Sequence, residues 1–308
     1  MIYALIPALL WALGSVCTAR SAKLLGVTAT NRWRLAIAVV LLGAWVAIGP
    51  GMPVNGKVWG WLLLSGVVGL GLGDLAMLGG YRHVGPRITV MLLLCLAVPI
   101  SGLSEWMWLG TPLGIRDMVL SLGILVGVGM AVMPGAKIPA LNRRGVLLGL
   151  LCGLGAAFGQ GLGTTLSRVA YQSAADAGIL VDGVSAAWQR MIGGLACTLL
   201  AEAILRMSVG FAPVQLAGEA LAPAGHPRPQ MAWLWLGASI VLGPLVGLSV
   251  YQWVLITQPG ALVQSVTALT PVIVIPFAWW IDGDRPDWRG LVGGGLACTC
   301  AILLVVRW

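Results

Sequence analysis

The stretch from Trp61 to Leu109 consists of two long apolar runs joined by a short polar turn, Tyr81 to Arg87. Each run is close to the ~20 residues an α-helix needs to cross the hydrocarbon core of a bilayer. Shifted without a gap so that Trp61 meets Trp233, the stretch falls on Trp233 to Ile281. Gly71 then meets Gly243, Pro99 meets Pro271 and Trp108 meets Trp280. Leucine matches come cheaply in so apolar a chain, but Trp and Pro matches do not. The pattern reads as an internal duplication of a membrane module. Asp74, in the middle of the first run, has no acidic counterpart, since it falls on Val246.

Composition narrows the class further. Of 308 residues, 59% are hydrophobic and 9% charged, against about 25% charged in an ordinary soluble domain. The chain lacks the polar residues to cover a soluble core, which leaves a polytopic, all-α integral membrane protein. Its net charge is +8. The Lys and Arg residues sit in turns between apolar runs, so anionic lipid headgroups explain them and nucleic acid is not expected. Six cysteines lie in apolar runs with no CxxC pair. They read as small packing residues, and neither a metal nor a cofactor is expected. The N-terminus, MIYALIPALLWALG, has no basic segment ahead of its apolar run. It reads as a retained first helix, not a cleaved signal.

Ten apolar runs can be drawn, at about 2–20, 33–49, 57–80, 87–109, 113–133, 145–170, 183–206, 231–256, 260–282 and 287–307. The region 208–230 reads as a surface connection. The runs divide five and five, which predicts one repeat over 1–137 and a second over 138–308. Because five is odd, the second half enters the membrane from the opposite side. Ten transmembrane helices in two inverted five-helix repeats follow from this count. Counting Lys and Arg by loop places both termini outside. Glycines spaced along the third, fifth, sixth and tenth runs suit close helix packing. A phosphate-loop reading of Gly159-Gln160-Gly161-Leu162-Gly163 lacks both the following Lys and a preceding strand. The fifth and tenth runs carry almost no polar side chain in their middles, so they are expected at the periphery of a cavity built from the others.

Local motifs carry a resemblance. The second run opens Arg32-Trp33-Arg34-Leu35-Ala36, and Gln189-Arg190-Met191-Ile192-Gly193-Gly194 echoes it at the seventh. Gly73-Asp74, Leu96-Ala97-Val98-Pro99, Ala268-Leu269-Thr270-Pro271 and Asp282-Gly283-Asp284-Arg285 complete the set. Together with ten runs in two halves, they resemble the EamA branch of the drug/metabolite transporter superfamily over nearly the whole chain. The first-half copy of the last motif, Leu109-Gly110-Thr111, departs by placing Thr where the acid is expected. The resemblance implies a multi-pass protein of the cell's inner (plasma) membrane that moves a small polar metabolite, outward, by alternating access.

The candidate substrate-binding residues are Asp74, Trp11, Arg34, Gln160, Trp188, Arg190, Gln252 and Gln264. Arg34 and Arg190 hold equivalent positions in the two halves; they either anchor helix ends or attract an anionic substrate. The glutamines either join helices or touch ligand. Trp11, Trp33, Trp188 and Trp253 either face a cavity or pack. Pro99 and Pro271 either free backbone carbonyls to line the cavity or only bend their helices. Asp74 has no Lys or Arg one helical turn away. Its charge must meet another helix, water or a proton, so it either binds substrate or H⁺ as a coupling ion, or serves stability alone. Glu105 and Glu202 read as structural, Glu105 near the headgroups and Glu202 paired with Arg206. A monomer or a homodimer fits equally. The runner-up class is an integral-membrane enzyme acting on a lipid-linked substrate, but no cluster of acids and His supports it.

Overall fold

The computed structural model describes residues 2–49, 55–112, 114–132, 143–209, 229–274 and 288–306. The joint between the repeats, most of the connection at 208–230 and the Asp282–Arg285 turn lie outside these residues.

Among the described residues the regular structure is helical. Helix α1 (Leu5–Leu25) and α2 (Val27–Ile48) are separated by Gly26 alone. Gly26 sits at φ +84°, where a side chain would be strained. Helix α3 (Gly56–Gly66) begins at Asn55, whose side chain accepts from the amides of Lys57 and Val58. It widens into a π-helical stretch, Val67–Gly73, and continues as α4 (Asp74–His83). Next come α5 (Gly85–Leu109), α6 (Ile115–Val132), α7 (Arg143–Asp176) and α8 (Gly183–Val209). The amides of Val184 and Ser185, at the start of α8, are capped by Asp182 at 2.8 and 2.9 Å. Helix α9 (Pro229–Ile240) widens into a second π-helical stretch, Val241–Gly247, and continues as α10 (Leu248–Thr257). Helix α11 (Gly260–Thr267) and α12 (Trp288–Val305) complete the order.

Helix thus occupies each expected apolar run. Among the described residues, seven helices are long and apolar enough, by length and composition, to cross a membrane. Helices α6 and α8 occupy two of the remaining three runs, and α11 opens the third.

The two π stretches each contain seven residues and begin at Val67 and Val241. In the second, Pro244 has no N–H to give the helical ladder, and a widened turn accommodates the loss. The register between them puts Asp74 opposite Leu248, two residues beyond the Val246 expected from the Trp and Pro matches. The position opposite the acid is apolar either way.

Helix α7 is central and packs on α3, its π stretch, α4 and α5. Its glycines are contact points. A Cβ added to Gly159 would stand 2.5 Å from the Gly73 Cα, and one on Gly163 would stand 3.0 Å from the Gly69 Cα. Ser65 donates to the Gly163 carbonyl and shares a hydrogen bond with the Ser167 hydroxyl at 2.9 Å. The glycine-rich segment of α7 is therefore helix packing, as the absence of a phosphate-loop Lys implies. Helix α8 packs on α2, α3 and α10, and α1 packs on α9 and the second π stretch.

Candidate functional site

A cavity of about 530 Å³ lies among α1, α2, the first π stretch, α4, α7, α9 and the second π stretch. That volume suits a small-molecule site. Its wall along α1 runs from Trp11 to Ala22, and it reaches Thr30 at the start of α2 and Tyr81 at the end of α4. Helices α5, α8 and α10 each add one residue, Leu93, Met191 and Leu248. No residue of α6 or α12 contributes. Those two helices pack on each other instead, so closely that a Cβ on Gly127 would stand 2.6 Å from both the Ala297 nitrogen and the Gly293 oxygen. Gly127→Leu should therefore destabilise the protein by about 1–3 kcal/mol through overpacking. Ligand affinity of the folded fraction should be unchanged, which a thermal-shift titration with a transported compound would check.

Of the residues expected to bind substrate, Trp11, Arg34, Asp74 and Gln160 line the cavity. Asp74 reaches it because it follows directly on the π stretch whose Gly69 and Gly73 also form the wall. Both Arg34 and Arg190 act on its carboxylate electrostatically, but neither comes within 4.0 Å to form an ion pair. Arg34 donates Nη2 to Asn31 Oδ1 at 3.2 Å. Arg190 is not its mirror image in exposure: it is 1% exposed and stands behind the wall. A Cβ on the wall residue Gly69 would meet Arg190 Nη2 at 3.0 Å. The Nε and Nη1 atoms of Arg190 are buried without an acceptor.

The structure places the other candidates elsewhere. Trp188 donates its indole N–H to the Val39 carbonyl at 2.9 Å and stacks edge-on against Trp59, so it joins α8 to α2 and α3. Trp33 and Trp253 are about half exposed and pair with Trp233 and Tyr3. Gln252 is fully buried and accepts from the Tyr171 hydroxyl at 2.8 Å. Gln264 is buried, donating to Thr164 Oγ1 and to the Gln160 carbonyl at 3.2 Å. Both glutamines thus join helices beneath the cavity. Pro99 lies inside α5, and Pro271 lies in the helical turns that follow α11; neither lines the cavity.

Beyond Trp11 the interior is packed. Trp11 meets the Tyr251 ring at 5.2 Å, and Tyr251 shares a hydrogen bond with Thr164 at 2.8 Å. One layer further lies a cluster that the sequence did not reveal. Glu105 is 1% exposed, not at the headgroups. Its carboxylate accepts from the Gly260 amide at 2.8 and 3.0 Å and lies 3.7 Å from Arg168 Nε. Arg168 Nη1 also donates to the Leu255 and Ile256 carbonyls at 2.7 and 3.0 Å. The cluster ties α5 and α7 to the turn between α10 and α11. Its only advance signal was an acid and an arginine placed late in two runs. Glu202 pairs with Arg32 of α2 at 3.6 Å; the side chain of Arg206, its expected local partner, lies outside the described residues.

The comparisons agree with this architecture. A solved protein crystal structure, 14% identical, superposes with a TM-score of 0.74 over 99% of this chain and 96% of its own. At that identity the likeness shows the fold alone. No curated protein matches the chain. The model of the EamA-like transporter family matches residues 1–133. Apolar helices in this number and that match make the protein a multi-pass integral membrane protein of drug/metabolite-transporter type. Residues 1–133 thus match the EamA-like transporter family, which is the EamA family of the drug/metabolite transporter superfamily.

Proposed function

We propose that the protein is a secondary active transporter, not an enzyme on lipid-linked substrates, and that it exports a small polar metabolite across the inner (plasma) membrane by alternating access. One observation carries the reading. The cavity reaches helix ends on one side, with Arg34 and Asp74 on its wall, while the interior beyond Trp11 is closed by Tyr251, Thr164 and Gln264 and then by the Glu105–Arg168 cluster. A site reached from one side and sealed on the other is what alternating access requires. We take the architecture to be ten transmembrane helices in inverted repeats over 1–137 and 138–308; the paired π stretches support this.

Asp74 is proposed to couple transport to H⁺, binding a proton or substrate in turn as the cavity opens to each side. The titratable or charged groups facing it are Arg34 from α2, Arg190 from α8 and Tyr81 from its own helix. Asp74→Asn keeps the shape and hydrogen bonding but cannot titrate. The variant should fold like wild type, while its transport into liposomes stops or loses its pH dependence. Unchanged transport with an unchanged pH profile would sink the assignment.

A further inference from the structure

Two guanidiniums, one on the cavity wall and one behind it, hold buried nitrogens without acceptors. Arg34 satisfies one donor on Asn31, but its Nε is buried with no acceptor. Arg190, behind Gly69, holds Nε and Nη1 in the same condition. Buried charged donors without acceptors are costly, and a ligand that brings acceptors relieves the cost. Asp74 is the acid facing both guanidiniums, yet it pairs closely with neither. Among the described residues, the charged groups on the wall are Arg34 and Asp74, and Arg190 stands behind the wall at Gly69. Two cations thus share one carboxylate held at a distance.

We infer that the cavity takes a small organic anion, a carboxylate or phosphate ester. Its acidic group pairs with Arg34 in place of Asp74 and is attracted through the Gly69 wall by the charge of Arg190, which it does not touch. A cationic ligand would reach the Asp74 carboxylate only by standing before two guanidiniums. The ammonium group of a zwitterion would meet the same repulsion, because Asp74 is the acid that both arginines face. An anion meets the reverse situation: attraction from both arginines and competition from one acid. The competing acid also gives the site a release step, since the Asp74 carboxylate can reclaim the guanidiniums. This names the substrate class of the proposed transporter and rests on that reading for its biological meaning.

Probes of matched length and different charge test the inference. Purified full-length protein is melted in detergent at fixed ionic strength with succinate, 4-aminobutyrate, putrescine or 1,4-butanediol. Glycerol 3-phosphate serves as a second anion. The two anions should raise the melting temperature by a few degrees at concentrations where the other three do not. Arg34→Gln should raise the half-effective anion concentration at least tenfold, and Arg34→Lys should raise it less. Asp74→Asn should lower it several-fold, because the internal competitor is gone. No shift with either anion, a larger shift with any of the other three, or an undiminished shift in both Arg34 variants overturns the inference. Liposome uptake separates this from the transporter reading. Anion binding without transport fails the transporter reading alone, whereas transport of a cation in preference to anions fails the anion assignment alone.

Discussion

Gly66→Ala should leave the protein markedly less stable in detergent, and Gly66→Val should leave little folded protein at all. Gly66, at the end of α3, lies against the backbone of α8: an added Cβ would land on the Arg190 carbonyl oxygen, with the Arg190 carbonyl carbon at 2.7 Å and its Cα at 2.8 Å. No flexible side chain is there to give way. Gly193, one turn along α8, meets the Leu63 carbonyl in the same manner, so the two helices touch backbone to backbone from both sides. Overpacking of a well-packed site costs about 1–3 kcal/mol, and a contact made of main chain on both sides belongs at the upper end. The contact also positions Arg190, so any folded Gly66→Ala should bind ligand more weakly. Size-exclusion profiles and melting curves would test this. Wild-type melting and affinity in Gly66→Ala would show that α3 and α8 are not locked here.

The second large effect is expected at Glu105. Glu105→Ala removes the acceptor of the Gly260 amide and the counterion of Arg168 together. Breaking a buried pair from one side costs about 3–5 kcal/mol, because the remaining charge is left uncompensated. Glu105→Gln keeps an acceptor for the amide and should cost less. Glu105→Gln combined with Arg168→Met removes both charges and should recover part of the loss. The hydrogen bonds to Gly260 are shorter than the 3.7 Å ion pair, so Glu105→Ala should also exceed Arg168→Met alone. Melting temperatures of the four variants would establish the order. A Glu105→Ala protein as stable as wild type would mean that the cluster does not hold this side together.

Much of this molecule could be read before its structure, for identifiable reasons. Apolar run length is set by bilayer thickness, so every expected run contains a helix. Trp11, Arg34, Asp74 and Gln160 stood out because polar or amphipathic residues inside such runs must face protein or a cavity, and the cavity wall is where they lie. Arg190 shared a motif position with Arg34, but the glycine surface of α3 and its π stretch covers it. Which of two equivalent arginines is covered depends on neighbours more than a hundred residues away in sequence. The same holds for Glu105, whose partners Arg168 and Gly260 come from other helices and obey no local spacing. Trp188 offered an indole that could suit a ligand or a carbonyl equally well, and only packing decides for Val39. The repeat register read from Trp and Pro differs by two residues from that of the π stretches. Membrane-interface residues record depth in the bilayer, and helix winding does not have to follow it.

That winding has a mechanical consequence. A π turn holds one residue more than the α turn it replaces. Asp74 is the first residue past one such stretch, so the direction of its side chain depends on the pitch of the seven residues before it. Restoring a single α turn there would advance α4 by one residue, or about 100° around its axis. The carboxylate would swing away from Arg34 and Arg190 while α3, before the π stretch, stayed where it is. The bearing of the acid is thus set within the span, by a coil that can be tightened, and not by the loops at either membrane face.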